Sequence, residues 1–403
     1  MTQLTLRRRG LGRLALGLPA VAAGLAPSAG RTQARYPELW RMGAVLNLSG
    51  PTAAQGADFR AGLEFAAAQW NARGGLGGTR IEIIFEDSAA QPARAVTAAQ
   101  KLIQVDRVNV LANVYSSPVL AVVPITDRAR VLQISAGATS PRLVGISRYF
   151  MTSVANAALE AEVALAFAKQ AFNARRVSIF YGNDDFGTGM RDAVRRLWPA
   201  AGGTIVEDEG VDPTRADLAA VSAKLAASRP DAIYMALSGA SIGAAVKQLR
   251  EARFTAPILS HQGFESRDLF SVAGSAAENS FWTSSSNPEG GPQEAAFVAA
   301  FRQAYNRDPA IFVRTHYDLG MSLFEAMARM RQQGQDWTAE NIRAGLLGLG
   351  TFTGVLGPFS YREDGTALRE LDIRTYRRGE AAVHLSAAEI QQRGIFDFGA
   401  RRT

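Results

Sequence analysis

Val108-Asn109-Val110-Leu111-Ala112-Asn113-Val114-Tyr115-Ser116-Ser117-Pro118 is the stretch on which the fold turns. An apolar run of strand length, Val108 to Asn113, gives way to two hydroxyl residues and a proline. The same sentence is written again further on, where Val131 to Ile134 leads into Gly137-Ala138-Thr139-Ser140-Pro141. A Ser or Thr directly before proline marks a helix start, with the hydroxyl residue as N-cap and proline in the first helical position. Each start leaves backbone N–H groups unpaired and carries the positive end of the helix dipole. Two such starts at the ends of adjacent strands make a polar cradle for an anionic or carboxylate-bearing small molecule.

Outward from this stretch the period of the apolar residues keeps switching between strand and helix. Met42 to Leu48 reads as a strand, Phe59 to Asn71 as a helix with Leu63, Ala66, Ala67 and Trp70 on one face, Ile81 to Glu86 as a strand and Pro92 to Val105 as a helix. Pro118 to Ala129 is the next helix. After Phe150 the alternation restarts, with helices over Asn156 to Phe172, Gly189 to Leu197, Ala216 to Ala227 and Ile242 to Ala252. Strands fall between them at Val177 to Tyr181, Thr204 to Val211, Ala232 to Leu237 and Pro257 to Ser260. Helices return over Glu294 to Tyr305, Val313 to Met330 and Thr338 to Leu346. This is α/β architecture built twice, each half a mainly parallel sheet with helices on both faces. With no long linker between the halves, the crossovers are expected to be short strands, and the site to lie in the cleft between two sheets.

Composition narrows the function. The formal charge is +7, but Arg7, Arg8, Arg9 and Arg13 crowd the first thirty residues, which hold no acid. The remainder shows no basic stripe that would take nucleic acid. Arg8-Arg9 with Leu11 and Arg13, followed by the Ala, Leu and Gly run from Leu14 to Ala26, reads as a twin-arginine-like export signal over residues 1–34, cleaved to give a periplasmic protein. Cysteine is absent, which excludes disulfides, thiolate metal sites and a cysteine nucleophile. No metal-ligand spacing and no phosphate-binding loop occurs, so no cofactor and no metal are expected. The glycine cluster Gly74 to Gly78 precedes a strand and reads as a turn.

Several blocks in order then carry a family resemblance: Gly43 to Leu48 with Ser49-Gly50-Pro51, Asn71-Ala72-Arg73-Gly74-Gly75-Leu76-Gly77-Gly78, Glu86-Asp87-Ser88, Tyr115-Ser116-Ser117, Gly137-Ala138-Thr139-Ser140-Pro141 and Asp184-Asp185-Phe186-Gly187. The chain resembles the periplasmic solute-binding proteins of branched-chain amino-acid ABC transporters, the leucine/isoleucine/valine-binding type. The resemblance runs from about Met42 to Arg374. It implies a two-lobed clamshell of the type I periplasmic binding protein fold, monomeric, handing a small-molecule ligand to an ABC permease in the inner membrane. It further implies that Ser116 and Thr139 hold the ligand carboxylate, that the Gly137 carbonyl helps hold an ammonium, and that Phe186 walls the cleft. Tyr115 and Ser117 belong to the same neighbourhood.

Three positions depart from the pattern. Gln262 stands where the resemblance implies an acid, Ser238 where it implies a bulky aromatic, and Gln55 where an apolar or aromatic residue is common. A neutral amide cannot give the charge-assisted bond that a buried ammonium needs, so the expected ligand is a carboxylate-, amide- or hydroxyl-bearing solute rather than a standard amino acid. The expected domains are lobe I over 36–157 and 286–370, lobe II over 158–285 and 371–384, and a C-terminal tail over 385–403. A competing reading takes Gly239-Ala240-Ser241-Ile242-Gly243 as a hydrolase nucleophile elbow, with Ser241 attacking and His261, His316 or His384 as base. A third takes the clamshell as a ligand-sensing receptor domain.

Overall fold

The computed structural model describes residues 36–401 other than 240, 286 and 288–291. The expected export signal lies outside the described residues. The chain opens with β1 (Leu39–Leu46), α1 (Ala53–Ala72), β2 (Arg80–Asp87), α2 (Pro92–Gln104), β3 (Val110–Asn113), α3 (Ser116–Ala129), β4 (Leu132–Ser135) and β5 (Phe150–Thr152). These strands form a five-stranded parallel sheet in the order β2-β1-β3-β4-β5. Both faces of β1 are buried. Ala44 and Leu46 join Phe59 and Leu63 of α1 on one side, and Val45 meets Leu102 of α2 and Val122 of α3 on the other. Burial on two faces is why these strands read as continuous apolar runs.

The chain then crosses to a second lobe through α4 (Ala157–Phe172), β6 (Arg176–Gly182), α5 (Asp185–Ala200), β7 (Thr204–Val211), α6 (Ala219–Ala227), β8 (Ala232–Ala236), α7 (Ser241–Glu251), β9 (Ile258–Ser260), α8 (Arg267–Ala273) and β10 (Ser280–Ser285). It returns to the first lobe with α9 (Pro292–Tyr305), α10 (Ile311–Gln332), α11 (Ala339–Leu347) and a small antiparallel sheet of β11 (Thr351–Gly354), β12 (Gly357–Tyr361) and β13 (Ala367–Arg369). It ends back in the second lobe with β14 (Leu371–Arg377), β15 (Glu380–Leu385) and α12 (Ala387–Gln392). The second sheet has the order β15-β14-β10-β9-β8-β6-β7, with β14 antiparallel to both its neighbours, β10 and β15, and every other pairing parallel. The fold is therefore the mixed α/β, two-lobed architecture expected from the alternation.

α10 packs along α1 in the core of the first lobe. The approach is close enough that a Cβ on Gly62 would collide with the Val313 carbonyl, so glycine is required there. Two crossing segments touch at a single parallel bridge, Ala155 to Ala367. Arg369, 1% exposed, ties them further. Its Nε donates to Ser153 O at 2.7 Å, its Nη1 to Leu356 O at 3.1 Å, and its Nη2 to Asp318 Oδ2 at 3.4 Å.

Four local expectations are corrected. α5 begins at Asp185, not Gly189, capped by Asp184, whose Oδ1 accepts from Gly187 N at 2.7 Å. Gly187 and Gly189 weaken the helical signal of its first turn. The sheet β11 to β13 escaped the sequence reading because its strands, of 4, 5 and 3 residues, are too short to set a period, although Phe359 and Tyr361 turn into the core. The segment read as a tail supplies Leu385, Ala387, Ile390 and Phe398 to the second lobe's core. Finally, α3 begins at Ser116 with Tyr115 as N-cap, two residues earlier than a Ser117 cap would give. Proline is tolerated through the first turn, where its missing N–H has no helical partner anyway, so Pro118 does not pin the start to one residue.

Candidate functional site

The carboxyl ends of β3 and β4 and the starts of α3 and α5 open onto one cavity of about 950 Å³. Tyr115, Ser116, Ser117, Gly137, Thr139 and Gln55 line it from the first lobe. Phe186, Ser238 and Gln262 line it from the second. All nine residues singled out in the sequence are thus brought to one place.

Freed from capping, the hydroxyls at the start of α3 reach outward. Ser116 Oγ accepts from Ser140 N at 3.2 Å, which leaves its O–H to donate. Ser117 Oγ accepts from Asp185 N, across the lobes, at 3.1 Å. Thr139 Oγ1 bonds to no described residue, while the Thr139 carbonyl accepts from Ala157 N at 2.9 Å and from Asn156 Nδ2 at 3.4 Å. Ser140 does cap as expected, accepting from Arg142 N, although it starts a single 3₁₀ turn over Pro141–Leu143 rather than an α-helix. Tyr115 holds φ at 60°, a left-handed value that is strained for a bulky side chain. Its N–H donates to Gly137 O at 3.1 Å and its hydroxyl to Gln55 Oε1. One lobe therefore offers two hydroxyl donors and the free N–H groups of a helix start, a set suited to an oxyanion.

The other lobe presents a different chemistry. The Phe186 ring lies 4.6 Å, centroid to centroid, from His261. His261 Nδ1 accepts from Gly263 N, its Nε2 bonds Leu237 O at 2.9 Å, and burial lowers the imidazole to about 4, so it is neutral. Gln262 Oε1 accepts from Ser285 Oγ at 3.0 Å. Burial raises Asp184, the cap of α5, against the opposing pull of Gly187 N–H.

The sequence reading missed one residue of consequence, Glu160, in the first turn of α4. It lines the cavity and is 1% exposed. Its Oε1 accepts from Gln262 N at 3.0 Å, while its buried Oε2 makes no hydrogen bond of normal geometry. Burial pushes the carboxyl up to about 8, against the lowering effect of the Gln262 N–H and the nearby Thr283 hydroxyl. The available signal was an acid on an otherwise alanine-rich helix face one turn after the Asn156 cap. Arg142 and Arg215 also stand at the cavity wall.

The nucleophile-elbow reading finds no support in geometry. Ser241 Oγ donates to Ser238 O at 3.2 Å, and no described histidine bonds to it. His316 bonds Phe312 O and the Thr315 hydroxyl within α10, and His384 lies beside Arg377. Among the described residues no cluster of three or more His, Cys, Asp or Glu could hold a metal. No described helix is long and apolar enough to cross a membrane.

Comparison with known proteins agrees with this fold. A family profile described as periplasmic binding protein matches residues 40–381. The chain is 26% identical over 332 residues to the leucine-, isoleucine-, valine-, threonine- and alanine-binding protein of Pseudomonas aeruginosa, covering 82% of this chain and 87% of that one. Its fold matches the branched-chain amino acid transporter substrate-binding protein LivJ of Streptococcus pneumoniae, solved with isoleucine, with a TM-score of 0.76 and 24% identity over 86% and 99% of the two chains. It also matches a solute-binding protein of an ABC transporter from Rhodopseudomonas palustris BisB5, solved with 3,4-dihydroxybenzoic acid, with a TM-score of 0.77 and 21% identity over 87% and 97%.

Proposed function

Because the chain belongs to the periplasmic binding protein family, we propose that it is exported by its N-terminal signal, captures a small carboxylate-bearing organic solute between its lobes, and delivers it as a monomer to an ABC importer. The observation that carries this reading is the shared cavity, with hydroxyl donors from one lobe facing aromatic and polar groups from the other. Ser116 and Thr139 donate to the solute carboxylate, and the start of α3 adds its N–H groups. Phe186, with Phe59 and Phe312, gives the apolar body of the solute its walls. The mechanism is reversible capture with hinge motion of the lobes and no covalent step. Relatives of similar fold have been solved with an aliphatic amino acid and with an aromatic acid, so the family leaves the solute class open.

A thermal-shift screen over amino acids, benzoates, short hydroxy acids and amides tests capture directly. A solute that binds only the folded state raises the melting temperature with its concentration. A concentration-dependent rise for at least one small carboxylate is expected. No rise for any of them would overturn the reading.

A further inference from the structure

We infer that Glu160 is the residue that holds a cationic group of the solute next to its carboxylate, so that the cleft takes a 2-amino acid through an acid on α4. The inference rests on the capture reading above and assigns its second polar contact.

The first support is an unmet acceptor. Glu160 lines the cavity, is 1% exposed, and keeps Oε2 without a hydrogen bond of normal geometry. A buried acceptor left unpaired is costly unless a ligand or a proton completes it. The second is position. The carbonyl of Thr139 accepts from Ala157 N at 2.9 Å, which fixes the start of α4 against the hydroxyl end of the cleft. Glu160 lies three residues on in the same first turn, and one turn rises about 5.4 Å. Donors for a carboxylate and an acid therefore line one cavity, joined through the start of α4. The third is the state of position 262. Gln262 supplies its N–H to Glu160 Oε1, and its own amide oxygen is occupied by Ser285. The backbone amide orients the acid, and the side-chain oxygen, neutral and already engaged by Ser285, offers a cation no charge-assisted bond.

Among the described residues, no lysine or arginine pairs with Glu160. Thr283 Oγ1 from β10 lies beside it and bonds to nothing else, and the Tyr234 phenol from β8 is pushed up by burial and by the Glu160 charge. His261, at the end of β9, is neutral through burial. From β14, Asp372 accepts from Ala387 N, and Arg374 pairs with Glu265 at 2.9 Å. Asp184, at the start of α5, caps that helix. With burial keeping Glu160 protonated at neutral pH, arrival of an ammonium must expel that proton, whereas a hydroxyl in the same place need not.

Calorimetry on the protein produced from the full chain decides the matter. The twenty L-amino acids are screened first, and the tightest binder is compared with its matched 2-hydroxy acid, which differs only in the ammonium. The expected result is a preference for the amino acid of at least tenfold, with release of up to one proton at pH 7, counted from two buffers of different ionisation enthalpy. Glu160→Gln, an isosteric change, should abolish both the preference and the proton release. The proton count on the native chain decides even if that variant fails to fold. An undiminished preference in Glu160→Gln, or amino-acid binding without proton release, overturns the inference. Binding of hydroxy acids or benzoates with none of the amino acids also overturns it, and leaves the capture reading standing. Binding of no probe at all removes both.

Discussion

Two hydroxyls carry the affinity in this account, so their loss should be felt in binding rather than in folding. Ser116→Ala and Thr139→Ala should each weaken capture by about 1–3 kcal/mol, the scale of a lost hydrogen bond to a charged group. Titration of the best solute from the thermal screen against both variants checks this, and unchanged affinity in both would remove them from the site. Glu160 makes a prediction about stability as well. Its carboxyl is raised from an ordinary 4.5 to about 8. A raised acid supports the folded state in full below its ordinary value, and that support is lost as pH rises through about 8. Glu160→Gln has no such loss, so its unliganded melting temperature should gain on that of the native chain between about pH 5 and pH 8.5. A gap that stays constant over that range would contradict the buried-acid assignment. At this scale the sequence was informative where chemistry and turn signals coincide, as at Ser116 and Thr139. Glu160 left only the faint signal of an acid on an alanine-rich helix face, because its importance comes from burial and from the charge that Gln262 lacks.

At the scale of elements, the start of α5 is where the second lobe meets the first. Asp185 N donates to Ser117, Asp185 O accepts from Ser140 Oγ at 2.8 Å, and Asp185 Oδ1 pairs with Arg142 at 3.0 Å. The ion pair is substantially exposed on both sides and contributes no more than about 0–1 kcal/mol. The backbone bonds and the fit set the contact. A Cβ on Gly189 would lie 2.6 Å from Ser140 Oγ, so this face of α5 must be bare. Gly189→Trp should therefore wedge the lobes apart. Solute affinity is expected to fall at least tenfold while the unliganded protein keeps its native circular dichroism. Native affinity in that variant would show that the contact plays no part in capture. The bareness of α5 also explains its hidden start, since the glycines that admit the neighbour dilute the helical pattern. β11 to β13 were hidden for a different reason, as strands this short carry too little apolar periodicity.

At the scale of the molecule, the alternation of periods gave the two lobes before any coordinate, because parallel strands buried on both faces must read as apolar runs. What ties the crossing segments to the first lobe is less visible. Arg369 and Asp318, 1% and 0% exposed at the side chain, form a buried pair. Asp318 also accepts from Val355 N at 2.7 Å and Leu356 N at 3.2 Å. Removing one partner strands the other, so Arg369→Ala should cost about 3–5 kcal/mol in chemical denaturation. A loss under about 1 kcal/mol would mean that the crossing segments hold without it. The central claim is that a solute carboxylate rests on Ser116 and Thr139 between the lobes. A crystal structure with the best solute from the thermal screen tests it most directly. The account predicts the carboxylate within hydrogen-bond distance of Ser116 Oγ and Thr139 Oγ1, enclosed by both lobes. A solute seated elsewhere, or in the cleft with its carboxylate turned away from both hydroxyls, would contradict it.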